Sequence, residues 1–251
     1  MDKIDLSNYN ILILAAGIGS RIGSKGKKIP KSLLKINQKR IIDYLIEILL
    51  KKNVKEITIM IGYKSELIKE YLGKYKNIKI NFKKIRNYER NGHSYTWYNY
   101  KNNWKKSKKP TFLFHADILF SKKFLDNLIK SKSKNLIGIK VVKKKLKEEV
   151  FYVSADGSFL KKISKLPNIE KPIGEIIGIN KVSYSCMKKL FLYMNGYFKY
   201  QKRKKFSWEV MLNDFIQKNP KSFEILKNQN YKWVNVNRIS DYKFAKKTFG
   251  T

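Results

Sequence analysis

A chain of 251 residues with 43% apolar residues is long enough to bury a large core without staples, and its single cysteine, Cys186, excludes an internal disulfide framework. The formal net charge of +37 comes from 56 Lys and Arg against 19 Asp and Glu, yet only six of those basic residues are arginine, the side chain that reads phosphates and guanines bidentately. The lysine excess, spread end to end among many Asn, Ile and Tyr residues, therefore reads as compositional bias, with a nucleic-acid or polyanion footprint as the alternative; either way the field favours anionic small substrates.

The N-terminal MDKIDLSNYN lacks the layout of a signal peptide and no apolar run is long enough to span a membrane, so a soluble, cytoplasmic protein is expected. Residues 10–16, NILILAA, form a buried strand ending in small residues, and 39–52 place Ile41, Ile42, Leu45, Ile48 and Leu49 on one helical face. A strand over 56–63, a helix over 65–72 with Ser65 as N-cap, and an alternating strand over 77–82 follow. That succession predicts right-handed crossovers and a Rossmann-like mixed, mostly parallel sheet flanked by helices, an α/β fold.

Residues 94–106 read as one aromatic-rich helix and 111–120, TFLFHADILF, as one buried strand, then a helix over 122–130 and a strand over 135–142. The segment 143–175 alternates charged runs with short strands, a hairpin arm over one end of the sheet. A strand over 176–182, helices over 183–194 and 207–218, a strand over 232–237 and a closing helix near 240–248 complete the chain; 196–206 is the longest polar stretch without evident order. With neither repeat nor Pro/Gly/Ser linker, a single domain is expected. The lysine runs 143–147 and 202–205 read as solvated faces, with a membrane-surface or polyanion contact as the minority alternative.

Chemistry concentrates after the first strand. Gly17 and Gly19 let the backbone turn sharply and present N–H groups to an anion, and Arg21 and Lys31 are able to converge on phosphates. Asp117 stands in the apolar FLFHADILF, a carboxylate at a strand end where open α/β sheets bind ligands, suited to Mg2+, which takes few protein carboxylates; a strand-end cap is the bland alternative. His93 reads as a loop residue and His115 as a packed strand histidine; with no Cys/His set at metal spacing, zinc is disfavoured.

The combined pattern LAAGIGSR over 14–21, PKSLL over 30–34 and the Ile61-Gly62-Tyr63 strand end resembles the nucleotidyltransferase superfamily, over nearly the whole chain. The resemblance implies a nucleotide-diphospho-sugar transferase-like fold and an enzyme that joins an NTP to a phosphorylated acceptor and releases pyrophosphate. It assigns Leu14, Ala15, Ala16, Gly17, Gly19 and Ser20 to the nucleotide, Arg21 and Lys31 to catalysis at the phosphates, and Asp117 to Mg2+. It makes Asn237 a second metal ligand where relatives often carry a carboxylate, with Asn235 or Asp241 as possible contributors and an Asx-turn as the bland alternative. Asn91, Gly92 and Ser94 fall where relatives contact the base.

The segments GEIIGINK (174–181) and SWE (207–209) are similar to the phosphocholine-type cytidylyltransferase branch, which implies an acceptor site at Glu175, Lys181, Trp208 and Glu209, with a ring face and counter-charge for a cationic head group. Helix core packing is the alternative for Trp208. The expected reaction is transfer from CTP to a phosphocholine-like or aminoethylphosphonate acceptor. A sugar-1-phosphate nucleotidyltransferase is the nearest alternative and a non-catalytic nucleotide- or polyanion-binding module the more distant one; no specific nucleic acid is implied, and oligomeric state is not legible.

Overall fold

The computed structural model describes residues 5–86, 88, 92–142, 149–200, 207–228 and 230–249. Strand β1 (Asn10–Ala15) sends Ile11, Ile13 and Ala15 into the core on one sheet face and Leu12 and Leu14 into the core on the other. Burial on both faces is why its sequence is apolar without alternation. A glycine loop leads through α1 (Ser24–Lys28) and a small hairpin of β2 (Lys35–Ile36) and β3 (Lys39–Arg40) into α2 (Ile41–Leu50). Then come β4 (Glu56–Ile61), α3 (Ser65–Leu72), β5 (Lys79–Lys84), α4 (His93–Tyr98), α5 (Lys101–Ser107) and β6 (Thr111–His115). The second half runs β7 (Ile118–Phe120), α6 (Lys122–Lys130), β8 (Leu136–Val141), β9 (Tyr152–Asp156), β10 (Phe159–Ser164) and β11 (Gly174–Val182). It closes with α7 (Tyr184–Tyr200), α8 (Trp208–Lys218), β12 (Glu224–Asn228), β13 (Trp233–Asn235) and α9 (Ile239–Thr248).

Nine strands make one mixed sheet in the order β5-β4-β1-β6-β11-β8-β12-β10-β9, and β9 also pairs with β11. Neighbours from β5 through β6 are parallel, as are β8 and β12, whereas β11 runs against β6 and β8, and the β9–β10 hairpin is antiparallel. Helices α2, α3 and α6 cover one face through Leu45, Ile68 and Phe124; α4, α5, α7 and α8 cover the other through Trp97, Trp104, Leu190 and Trp208.

Asp43 ties α2 to α3. Its carboxylate accepts from the Arg40 backbone N–H at 2.8 Å and from the hydroxyls of Tyr71 at 2.6 Å and Tyr75 at 2.7 Å, with Lys74 at 3.1 Å. Burial alone would raise its pKa; these donors outweigh burial and hold it below the ordinary aspartate value.

Several elements depart from the sequence expectation. The helix expected over 94–106 breaks at Asn99 and Tyr100, so that Trp97 packs edge-on against Trp208 while Trp104 stacks on Tyr184 with centroids 4.7 Å apart. Ser65 is the first helical residue and not the cap; that place belongs to Lys64, left-handed at φ 44. β12 was not anticipated, because a five-residue strand that is only partly buried carries neither a clear alternation nor a continuous apolar run. Most consequential, the expected strand over 111–120 is two strands, β6 and β7, parted at Ala116 and Asp117. β7 leaves the main sheet to pair antiparallel with β13, Asn235 opposite Ile118, and the Val236 N–H donates to the Asp117 carbonyl at 2.9 Å. Residues 143–148 and 201–206, which hold the two lysine runs, lie outside the described residues.

Candidate active site

The rim where β1, β4 and β6 end gathers the motif residues. The carbonyl of Ala16, just past β1, accepts from the Tyr63 N–H at 3.1 Å, which docks the end of β4 on the loop. The loop then turns at Gly19, whose φ of 70 is the left-handed conformation that glycine alone adopts without strain. A methyl group at Gly19 would also collide with Cγ of Lys31. Pro30 precedes the 3-10 turn Lys31–Leu33 and aims the lysine stem beneath the loop.

Lys31, Asp117, Asn237 and Arg21 meet there. The Lys31 ammonium is ion-paired with Asp117 and donates to Asn237 Oδ1 at 2.9 Å; Arg21 Nη2 donates to the same amide oxygen at 3.1 Å. The β7–β13 ladder supplies this juxtaposition: Asp117 precedes β7 and Asn237 follows β13, so antiparallel pairing sets them side by side. Burial would raise the Asp117 pKa, but the Lys31 ammonium beside it prevails and holds it at about 2. Among the described residues no three His, Cys, Asp or Glu side chains gather as a metal cluster. The pair able to hold a divalent cation is one carboxylate and one amide oxygen, hard donors of the kind Mg2+ takes in small number while phosphate and water oxygens supply the rest. Both face a cationic group of the protein already, and the donor set fits such an ion.

A cleft of about 380 Å³ opens beside this cluster. Leu14, Ala15, Ala16, Gly17, Gly19 and Ser20 line it, as do Arg21, Lys31, Gly92, Asp117 and Asn237. Ser94 does not; it is fully buried in the first turn of α4. Asn91 lies outside the described residues.

The expected acceptor residues separate. Trp208 is fully buried, its ring edge-on to Trp97 and to His115, and it presents no face to a ligand: it is core, because with Met211, Leu212 and Phe215 it forms the inward stripe of α8. Lys181 is also misassigned. It sits on β11 opposite Phe112, away from the rim that ends β6, and its buried ammonium donates to the Ser131 carbonyl at 2.9 Å. Glu175 lies in the ladder between Lys140 and Tyr152 and does not line the cleft. Glu209 is half-buried in the first turn of α8, and burial pushes its carboxyl up to about 7. Of that helix start, the N-cap Ser207 lines the cleft. Asp241 is committed to the start of α9, accepting from the Asn237 and Arg238 N–H groups at 3.0 and 2.8 Å, so it steadies the Asn237 backbone. Asn235 pairs with Ile118, and its buried carboxamide oxygen has no hydrogen-bond partner among the described residues.

His93, Thr96, Tyr88 and Ser207 are cleft residues that the sequence reading did not assign. His93 begins α4 with its side chain open to the cleft, its ring centroid 5.7 Å from that of His115. The protein crowded around it lowers its pKa, aided by Lys31 and Arg21 and opposed by Asp117. Burial lowers His115 to about 4. Both imidazoles are therefore neutral near pH 7 and leave the positive charge of the cleft to Arg21 and Lys31. The signal that could have revealed His93 is its place directly after Asn91 and Gly92, where the family resemblance puts base contacts, at the first turn of an aromatic helix.

Comparison with known proteins agrees with this geometry. The chain is 28% identical to the CTP:phosphoglutamine cytidylyltransferase of Campylobacter jejuni over 198 residues, 73% of this chain and 77% of that protein. It is 44% identical to the choline-phosphate cytidylyltransferase of Streptococcus pneumoniae over 55 residues, 22% of this chain and 24% of that one. Its fold is that of a CTP:phosphocholine cytidylyltransferase from Streptococcus pneumoniae, with a TM-score of 0.78 at 20% identity, covering 96% of this chain and 99% of that one. The nucleotidyl transferase family model matches residues 10–249, and the chain belongs to that family, an enzyme of the nucleotidyltransferase class.

Proposed function

We propose that the chain transfers the cytidylyl group of CTP to a small phosphorylated or phosphonate acceptor bearing a cationic nitrogen, with Mg2+ as its metal. The observation that carries this reading is the convergence of Lys31 and Arg21 on Asp117 and Asn237 beneath the glycine loop. Its preference for cytidine rests on the cytidylyltransferase likeness that spans 73% of the chain. Its preference for a cationic acceptor rests on Glu209 beside the cleft-lining Ser207.

The chemistry needs no protein nucleophile. An acceptor phosphate oxygen, already ionised near neutral pH, forms a bond to the α-phosphorus of CTP; the bond from that phosphorus to the oxygen bridging the β-phosphate breaks, and pyrophosphate leaves. The obstacle is the approach of one anion to another, so the protein's work is orientation and charge neutralisation. Backbone N–H groups of the 17–20 loop bind the triphosphate and Arg21 neutralises its outer charge. Lys31, anchored beneath the loop, offers its ammonium to the α-phosphate. Asp117 and Asn237 would hold Mg2+, which when bound supplies further neutralisation of the phosphate charge. Glu209 orients the acceptor through its nitrogen.

The test is a matrix of the four NTPs against phosphocholine, aminoethylphosphonate, phosphoglutamine and hexose 1-phosphates, read by pyrophosphate release with Mg2+ and by the mass of the product. CTP with a nitrogen-bearing acceptor is expected to react fastest. Faster turnover of another NTP overturns the base assignment, and reaction of a hexose phosphate where the nitrogen-bearing acceptors fail overturns the acceptor assignment.

A further inference from the structure

The side chain proposed to act on the α-phosphate is engaged elsewhere in this structure. Lys31 pairs with Asp117 and donates to Asn237 Oδ1 at 2.9 Å, so its ammonium stands between the two groups proposed to hold the metal. Its root is fixed: it follows Pro30, begins a 3-10 turn and passes so close beneath Gly19 that a methyl there would meet its Cγ. Beyond that root the four-carbon stem rotates freely enough to re-aim a compact point charge. The loop it passes under is the one proposed to bind the triphosphate, so the same ammonium has two alternative anionic partners within one side chain's reach.

We infer that Lys31 is a counter-ion lock: without nucleotide it occupies the place of the divalent cation between Asp117 and Asn237, and it must turn to the phosphates before that cation enters. This rests on the reading above in taking Asp117 and Asn237 as the metal-holding pair and the 17–20 loop as the seat of the triphosphate. A divalent cation brought to the same carboxylate while the ammonium remains meets a like charge at contact distance, which opposes its binding. Phosphates in the glycine loop give Lys31 a second partner and free the oxygens. Metal and nucleotide thereby favour one another's binding, with Lys31 as the coupling element. Arg21, 3.1 Å from Asn237 Oδ1, leaves the carboxylate to Lys31 and contributes only at the amide.

The experiment is a titration of the full chain with Mn2+ in the absence of nucleotide and acceptor, following the paramagnetic resonance signal of the free ion. Lys31→Met and Lys31→Gln are expected to bind Mn2+ about tenfold more tightly than the wild type, and adding Asp117→Asn to either removes the gain. Two replacements of different polarity are used, with circular dichroism to establish the native fold, so that the loss of one variant leaves the other to decide. Equal or weaker Mn2+ binding by the folded variants overturns the proposal, as does a gain that survives Asp117→Asn. Because no nucleotide or acceptor is present, an error in the assignment of CTP or of the acceptor leaves this titration unaffected, and failure of the lock leaves pyrophosphate release as an independent test of function.

Discussion

Gly19→Ala separates backbone strain from disruption of the site. At φ 70 an alanine pays about 1–2 kcal/mol for the left-handed conformation. Its methyl also meets Cγ of Lys31, an atom near the root of the side chain, where displacement swings the whole ammonium; overpacking of this kind typically costs about 1–3 kcal/mol where the surroundings cannot yield. A shift of about 1 Å in a charge-positioning group lowers turnover about 100-fold. The matched control is Gly157→Ala in the β9–β10 turn, where φ is 57 but no atom lies within 4 Å of the added methyl. Gly157→Ala is expected to melt a few degrees below the wild type and Gly19→Ala further below it, at about 2–4 °C per kcal/mol for a chain of this size, and only Gly19→Ala to lose pyrophosphate release by about 100-fold. Differential scanning calorimetry and a continuous pyrophosphate assay with CTP read the two effects separately. Full turnover in Gly19→Ala would refute the placement of the Lys31 stem beneath the loop, and a loss equal to that in Gly157→Ala would reduce the effect to strain alone.

Lys31→Ala is expected to lower kcat about 100–1,000-fold in the pyrophosphate assay, on protein that calorimetry shows to be folded, if its ammonium stabilises the charge of transfer as proposed; the Asp117 carboxylate left without its partner lowers the melting temperature as well. Trp208→Ala should destabilise the chain by about 3–5 kcal/mol in urea unfolding, while Trp208→Phe costs less and leaves the acceptor KM unchanged, the signature of a core ring and not a ligand-facing one. Glu209 carries a carboxyl pushed up to about 7, and only its ionised form attracts a cationic acceptor, so the acceptor KM should fall as pH rises from 6 to 8, about tenfold at most, and Glu209→Gln should flatten that profile in initial-rate measurements. Asp43→Asn weakens the tie between α2 and α3 and is expected to cost about 2–3 kcal/mol near neutral pH by denaturant unfolding. Because the folded-state pKa of Asp43 is depressed, its contribution is complete above the ordinary value of 3.8 and disappears as pH falls through the lower folded value; the gap between wild type and variant should therefore close in acid.

Local physics was legible where it was self-sufficient. The run over 10–16, the α2 stripe and the glycine turn each carry their cause within a few residues, and each element formed near the expected bounds. The inward stripe of α8 was legible too: Trp208, Met211, Leu212 and Phe215 recur at helical spacing, and that periodicity outweighs the attraction of an aromatic beside a glutamate as a ligand cage. Lys181 was harder. β11 is buried along most of its length, so no alternation marks which side chain reaches the rim, and the direction of the strand decides that Lys181 stands at the opposite end.

The division of TFLFHADILF into β6 and β7 is the informative failure. Nothing within those ten residues requires a break, because an apolar strand of that length is physically acceptable. The break is made by β13, more than a hundred residues later, which draws Ile118–Phe120 out of the main sheet into its own ladder. That non-local pairing sets Asn237 against Asp117. Sequence inspection can mark a carboxylate stranded in an apolar run as costly to bury and therefore purposeful. It cannot supply the partner that makes the burial tolerable, since Lys31 arrives from beneath the glycine loop and Asn237 from the far end of the chain. The chemistry of this cleft is thus assembled at the junction of two sheets, and a substitution that weakens the β7–β13 ladder should impair transfer even though it touches none of the four charged and amide groups.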